Sequence, residues 1–140
     1  MSLADLDVTW VGHATFLLET PAGNRLLVDP WFEGNPARPE GFELVDSDGI
    51  LVTHGHADHI GDLFGAARQC DGPIVGIFEM VTWLESKGLP SEMLDGMNKG
   101  GTIRPDGLES DVTMVDARHS SGFVDEGELV YLGEPAGFVL

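Results

Sequence analysis

The chain has 140 residues, 42% of them hydrophobic, with 24 acidic and 7 basic side chains and a net charge of −17. This length fits one soluble domain and excludes two large ones, and no apolar run is long enough to cross a membrane. Because this charge repels phosphate backbones and anionic lipids, we expect neither a nucleic-acid partner nor a membrane partner.

Cysteine use and the distribution of charge indicate where the protein works. Cys70 is the single cysteine, and the first basic residue is Arg25. A lone cysteine suits a reducing compartment and the early chain lacks a basic signal segment, so we predict a cytoplasmic location. The scattered acidic residues leave two hypotheses, adaptation to concentrated salt, which screens self-repulsion, or an ordinary acidic surface.

The first half of the chain is predicted to consist of strands followed by one helix. Strands are predicted at residues 8–11, 15–20, 25–28 and 50–52, with a long loop at 29–48. Beyond residue 57, apolar residues recur with helical spacing. This spacing predicts a helix with Asp58 as its N-cap that ends near Gly72.

The second half continues the alternation of strands and helices. It predicts a strand at 73–78, a helix at 79–87 ended by Gly88, and strands at 102–104, 108–115, 130–132 and 137–140. The predicted class is therefore α/β or α+β with a sheet core. Because the sequence stops on an apolar strand, we expect residues 1–140 to form one domain that is truncated at its C-terminus.

Four potential metal ligands lie within six residues, between the strand at 50–52 and the predicted helix. They are His54, His56, Asp58 and His59. Imidazole and carboxylate suit Zn²⁺ and also Mn²⁺ or Fe²⁺. In extended backbone the first two side chains share a side, whereas Asp58 and His59 can face a second ion. The alternative is a polar loop with solvated histidines.

Three residues elsewhere are candidates for the same site. His119 follows the predicted strand at 108–115, and we expect it to supply a third imidazole after a parallel strand, or else to be a surface histidine. His13 lies between two strands and either lines the pocket or is a structural histidine. Asp29 ends a strand, where it either orients a ligand histidine or forms an ordinary Asx turn.

The motif His54-x-His56-x-Asp58-His59 resembles the H-x-H-x-D-H signature of the metallo-β-lactamase superfamily. Flanking segments are similar to one branch, the UPF0173 metal-dependent hydrolases close to the ascorbate-6-phosphate lactonase-like group; these are residues 10–16, 27–31, 97–102, 119–121 and 131–137. The resemblance implies the N-terminal half of an αββα sandwich. It implies that His54, His56 and His119 hold one Zn²⁺ and that Asp58 and His59 contribute to a second.

The resemblance also implies an activity. A metal-activated hydroxide would attack a small-molecule ester, lactone or phosphoester, with Asp58 and His59 as catalytic residues. Family members carry a further Asp and a further His in their second half, whereas no histidine follows His119 here. Two alternatives therefore stay open: a catalytically incomplete metal-binding fragment, and an interaction module that forms a homo-oligomer or pairs with a complementing C-terminal half.

Overall fold

A computed structural model describes residues 5–140, which form eleven strands and three α-helices. The strands are β1 Asp7–Gly12, β2 Thr15–Glu19, β3 Arg25–Val28, β4 Gly49–Leu51, β5 Ile74–Ile77, β6 Leu94–Met97, β7 Thr102–Ile103, β8 Val112–Asp116, β9 Phe123–Asp125, β10 Glu128–Val130 and β11 Ala136–Val139. The helices are α1 Ala57–Ile60, α2 Leu63–Ala67 and α3 Phe78–Ser86, and a 3₁₀ turn covers Ser91–Met93. This mixture of sheets with few helices confirms the predicted α+β class.

The larger sheet has six strands in the order β1-β2-β3-β4-β5-β6. The first three are antiparallel, and β3 to β6 run parallel. All four residues of β5 are buried, as expected for a parallel strand covered on both faces. The carboxyl ends of β3, β4, β5 and β6 therefore lie along one edge of this sheet.

The second layer comprises the three-stranded sheet β11-β8-β7 and the hairpin β9–β10. One apolar core joins it to the larger sheet, because Val112, Met114 and Leu132 pack in the same buried cluster as Ile50 and Val75. The Ala136 N–H also donates to the Thr53 carbonyl at 2.9 Å. The second layer thus rests on the segment that follows β4.

The single helix predicted from Asp58 to near Gly72 is wrong. The chain forms α1 and α2 instead, and the N-cap residue is His56 rather than Asp58. Asp62 lies at the break: its N–H donates to the Pro30 carbonyl at 2.9 Å, and its carboxylate accepts the N–H groups of Phe32 and Glu33 at 2.5 and 2.9 Å. These bonds to the long loop replace the hydrogen bonds of a continuous helix.

One expectation about the second half is wrong, and two of the observed strands were not predicted. The strand that precedes His119 pairs antiparallel with both neighbours, so this histidine does not follow a parallel strand. Strands β6 and β9 were not predicted, because Gly96 interrupts the first and acidic residues surround the second. The helix that ends before Gly88 is confirmed at Phe78–Ser86. Among residues 5–140, no helix is long and apolar enough to cross a membrane.

Candidate metal centre

All five histidines of the chain gather at the carboxyl edge of the larger sheet. His54 and His56 follow β4, and His59 lies in α1. His119 follows β8 in the second layer, and His13 lies in the β1–β2 turn. Side chains from both layers and from four segments thus converge on one place.

The first group consists of His54, His56 and His119, whose ligand atoms all lie within 4.8 Å of one another. His54 Nε2 lies 3.1 Å from His56 Nδ1. The His119 ring centroid lies 4.7 Å from that of His54 and 5.0 Å from that of His56. His54 is buried and His119 is exposed, so the group opens to solvent on one side.

Two further groups adjoin the first and share His59. One comprises His13, Asp58 and His59, and the other Asp29, His54 and His59. His13 Nε2 lies 3.0 Å from Asp58 Oδ2, and His59 Nε2 lies 3.9 Å from Asp58 Oδ1. Every residue predicted from the sequence to belong to the site therefore falls in one of these three groups.

Asp29 holds two of the imidazoles in place. Its buried carboxylate accepts the Thr53 N–H at 2.7 Å, the Thr53 hydroxyl at 2.5 Å and the His59 Nδ1–H at 2.7 Å. Because the Thr53 hydroxyl proton is donated to Asp29, Thr53 Oγ1 can only accept from His54 Nδ1, 3.0 Å away. With Nδ1 of each ring held in this way, Nε2 is the nitrogen that His54 and His59 can offer to a cation.

Backbone strain accompanies this arrangement. His13 and Asp29 both have positive φ angles, 52° and 45°, which L side chains rarely adopt. Strained residues of this kind persist where surrounding contacts determine them, and they cluster at functional sites. Here the positive φ angles place the His13 imidazole and the Asp29 carboxylate in the histidine groups.

Electrostatics favour the metal-binding form of His54. Burial, followed by the neighbouring imidazoles of His59, His56 and His119, lowers its pKa from 6.5 to about 4, although the Asp58 carboxylate acts in the opposite direction. The ring is therefore neutral at pH 7, which is the form that coordinates metals. A cluster of neutral imidazoles beside carboxylates has the donor chemistry that Zn²⁺ prefers. The residues present thus fit a divalent ion.

Sequence reasoning missed three residues that support the cluster: Thr53, Ser120 and Ser121. Ser120 Oγ lies 3.3 Å from His56 Nε2. The Gly55 N–H donates to Ser121 Oγ at 3.1 Å and so joins the segment after β4 to the segment after β8. Adjacency to the predicted ligands was the available signal, but it does not specify which atoms a hydroxyl contacts.

Gly55 is required by close packing at the same point. A Cβ atom here would lie 2.7 Å from Leu132 Cδ1 and 2.8 Å from Leu132 Cβ. Leu132 is fully buried in the core shared by the two layers. Glycine therefore lets the segment of His54 and His56 lie directly against the second layer.

Comparison with known proteins identifies the family. The profile described as beta-lactamase superfamily domain matches residues 24–140. The chain belongs to this superfamily. It is 43% identical over 140 residues to a UPF0173 metal-dependent hydrolase of Herpetosiphon aurantiacus, and 47% identical over 135 residues to one of Solibacter usitatus. These matches confirm the resemblance drawn from the histidine motif.

A solved structure supports the fold. Igni18, described as a novel metallo hydrolase from Ignicoccus hospitalis, matches 96% of the chain with a TM-score of 0.78 and 26% sequence identity. The chain spans 57% of the length of each of the two relatives and 55% of the Igni18 chain. The observed architecture is therefore shared with the corresponding part of a longer metallo hydrolase.

Proposed function

We propose that this chain provides the metal-binding histidines of a hydrolase that acts on a small-molecule ester, lactone or phosphoester. The observation that carries the proposal is the convergence of ligand atoms from His54, His56 and His119 within 4.8 Å of one another. The relatives' name, metal-dependent hydrolase, supports it. When bound, Zn²⁺, or Mn²⁺ or Fe²⁺ in its place, supplies Lewis acidity and a water that ionises near neutral pH.

The residues divide into two sets of ligands. His54, His56 and His119 hold the first ion, and Asp58 and His59 contribute to a second, with His13 beside them. Asp29 acts through other residues: it fixes the His59 ring directly and the His54 ring through Thr53. It is thus a positioning residue in this proposal.

Asp58 and His59 are the proposed catalytic residues. The Asp58 side chain is 44% exposed and contacts both His13 and His59. Its carboxylate can accept a hydrogen bond from a water molecule and orient that water toward a substrate. His59 presents its Nε2 on this side, because Asp29 binds its Nδ1.

A second candidate function is metal binding without turnover. The three-imidazole group supports metal binding by itself, whether or not hydrolysis follows. Pairing with a second copy or with a complementing chain stays a prediction. Light scattering of the purified chain tests that pairing.

Metal content and hydrolysis, measured together, test the proposal. The purified chain is expected to retain zinc or manganese and to cleave 4-nitrophenyl butyrate in an EDTA-sensitive reaction. The His54→Ala variant should lose both, with circular dichroism confirming that it is folded. Unchanged metal content and hydrolysis in the variant would refute the proposal, whereas bound metal without hydrolysis in the parent chain would favour the second candidate.

A further inference from the structure

A cavity of about 330 Å³ opens beside the first histidine group. His56 and Ser120 form its edge toward the metal ligands. The remaining walls come from the segment after His119 and from the hairpin β9–β10 with the residue that follows it; they are Ser121, Gly122, Leu129, Val130 and Tyr131. The cavity is therefore continuous with the site of the proposed reaction.

The hairpin wall of the cavity is apolar and unusually exposed. Leu129 is 79% exposed and Tyr131 is 63% exposed. Large apolar side chains exposed together beside a polar site are typical of a surface that binds a ligand.

Contacts with α3 hold this wall in place. Lys87 Nζ lies 2.5 Å from Asp125 Oδ2 at the end of β9. The Phe123 ring lies 5.5 Å from the Trp83 ring, centroid to centroid. Strand β9 of the hairpin is thus held against α3, and this favours a preformed cavity beside β10.

The side chains that line the cavity offer no lysine or arginine to an anion. Beyond the proposed metal ions, an anionic group in the cavity would have no positively charged partner. Both lysines are paired elsewhere, Lys87 with Asp125 and Lys99 with Asp116 and Glu134. Phosphate sites normally present arginine, lysine or a row of backbone N–H groups. Arg118, the cation next to His119, is exposed and is not among the lining residues.

We propose that this cavity receives the uncharged, apolar acyl group of a carboxylic ester or lactone, and that phosphoesters are poor substrates. This inference rests on the proposed function and narrows its substrate class. In the reaction, the oxygen of water bonds to the acyl carbon and the acyl C–O bond breaks. One hydrogen of the water passes to the departing alkoxide oxygen, so an ester gives an acid and an alcohol, and a lactone gives one hydroxy acid.

Substrate chain length tests the proposal. The zinc-loaded chain is assayed with 4-nitrophenyl acetate, 4-nitrophenyl butyrate and bis(4-nitrophenyl) phosphate. Butyrate has two more methylenes than acetate and each buried methylene contributes about fourfold, so kcat/KM is expected to rise about 15-fold from acetate to butyrate. The phosphodiester should be cleaved at least about tenfold more slowly than acetate. Equal rates for the two esters, or faster cleavage of the phosphodiester, would overturn the inference and leave the proposed function intact.

Two variants separate the cavity from general surface effects. Leu129→Asp should abolish the preference for butyrate. Val8→Asp places the same charge on a valine of β1 that is 56% exposed and does not line this cavity, and it should keep that preference. If Leu129→Asp retains the preference, or converts a dimer of the parent chain into a monomer, the cavity is not an acyl site.

If the chain cleaves none of these substrates, that result counts against the proposed function. The acyl cavity can then still be tested by a binding measurement. The probe is octanamide, which is uncharged and is added to the zinc-loaded, ¹⁵N-labelled chain. Amide signals of Gly122, Leu129 and Tyr131 should shift on addition, and Leu129→Asp should abolish the shifts. No shift of these signals at millimolar octanamide would overturn the inference.

Discussion

The two ends of the parallel strands carry ionisable side chains in opposite arrangements. At the carboxyl end, imidazoles and carboxylates converge into three groups whose ligand atoms lie within 4.8 Å of one another. At the amino end, Asp71, Glu92, Asp95 and Asp106 line a cavity of about 270 Å³ without a lysine or arginine among its lining residues. Among residues 5–140, such ligand groups occur only at the carboxyl end.

The pKa values show what this difference means. At the carboxyl end, burial and neighbouring imidazoles lower the pKa of His54 and keep its ring neutral. At the amino end, burial and then the Asp106 charge raise the pKa of Asp95. The carboxyl end thus offers neutral imidazole nitrogens that hydrogen bonds hold in place, whereas the amino end holds carboxylates that repel one another. The net charge of −17 alone does not distinguish these two ends.

The largest expected effect concerns His119. Removing it as His119→Ala deletes one of three imidazoles from the first group, so the zinc affinity of that group should fall by about 100-fold or more. The side chain is exposed, and we expect the free energy of unfolding to change by less than about 0.5 kcal/mol. Competition with a chromophoric chelator measures the affinity, and chemical denaturation measures the stability.

His13→Ala is the matched control for this prediction. His13 belongs only to the group with Asp58 and His59. Its loss should therefore weaken a second ion and leave the affinity for the first unchanged. Equal weakening of both ions in both variants would show that the groups do not act as separate sites.

The next effect concerns the packing that supports the carboxyl end. In Gly55→Ala the new Cβ would lie 2.7 Å from Leu132 Cδ1, and overpacking of this kind costs about 1–3 kcal/mol. Zinc affinity should fall as well, because Gly55 lies between His54 and His56. Denaturant unfolding and zinc titration of the same variant measure the two losses.

Gly65→Ala is the control for backbone substitution. A Cβ at this position in α2 meets its nearest neighbour, Leu44 Cδ2, at 3.5 Å, which is ordinary contact. The variant should gain up to about 1 kcal/mol of stability, because alanine is the better helix former, and should bind zinc normally. Normal stability and zinc affinity in Gly55→Ala would show that the carboxyl end does not depend on this contact.

Much of the fold could be predicted from local patterns. Strands β1 to β5 and helix α3 follow apolar runs and turn residues, and the structure has them within a few residues of the prediction. The break at Asp62 could not be predicted, because its cause is a set of hydrogen bonds to the distant loop at Pro30, Phe32 and Glu33. Strand β9 was missed for a local reason: acidic residues surround it, and its turn uses Glu126 and Gly127, both with positive φ, rather than the more typical Asn-Gly pair.

For the candidate site, the sequence predicted the ligands but not the contacts that orient them. The close spacing of His54, His56, Asp58 and His59 predicts ligands directly, because the chemistry of metal binding is concentrated in one segment. The orientation of those rings depends on Asp29 and Thr53, and the link to the second layer depends on Ser120 and Ser121. Such contacts join residues far apart in sequence, so spacing alone does not specify them.

The smallest expected effect belongs to the amino end. Because the pKa of Asp95 is raised on folding, its stabilising contribution is complete below the pKa of the unfolded chain and is lost as pH rises through the folded pKa. Asp95→Asn should therefore stabilise the chain at pH 7 and not in acid. The gain should stay under about 1 kcal/mol, because solvent screens this partly exposed group. Asp116→Asn should have the opposite sign, since Lys99 lowers the pKa of Asp116.

Salt dependence sharpens the same comparison. At about 1 M KCl the screening length is near 3 Å, so the repulsion between Asp95 and Asp106 is largely removed. Burial is the larger cause of the Asp95 shift and is not screened, so most of the gain from Asp95→Asn should survive in molar KCl. Thermal melts of both chains in rising KCl measure this. If the gain from Asp95→Asn vanishes in salt, repulsion dominates at the amino end. If molar KCl strongly stabilises the parent chain, adaptation to concentrated salt is favoured over an ordinary acidic surface.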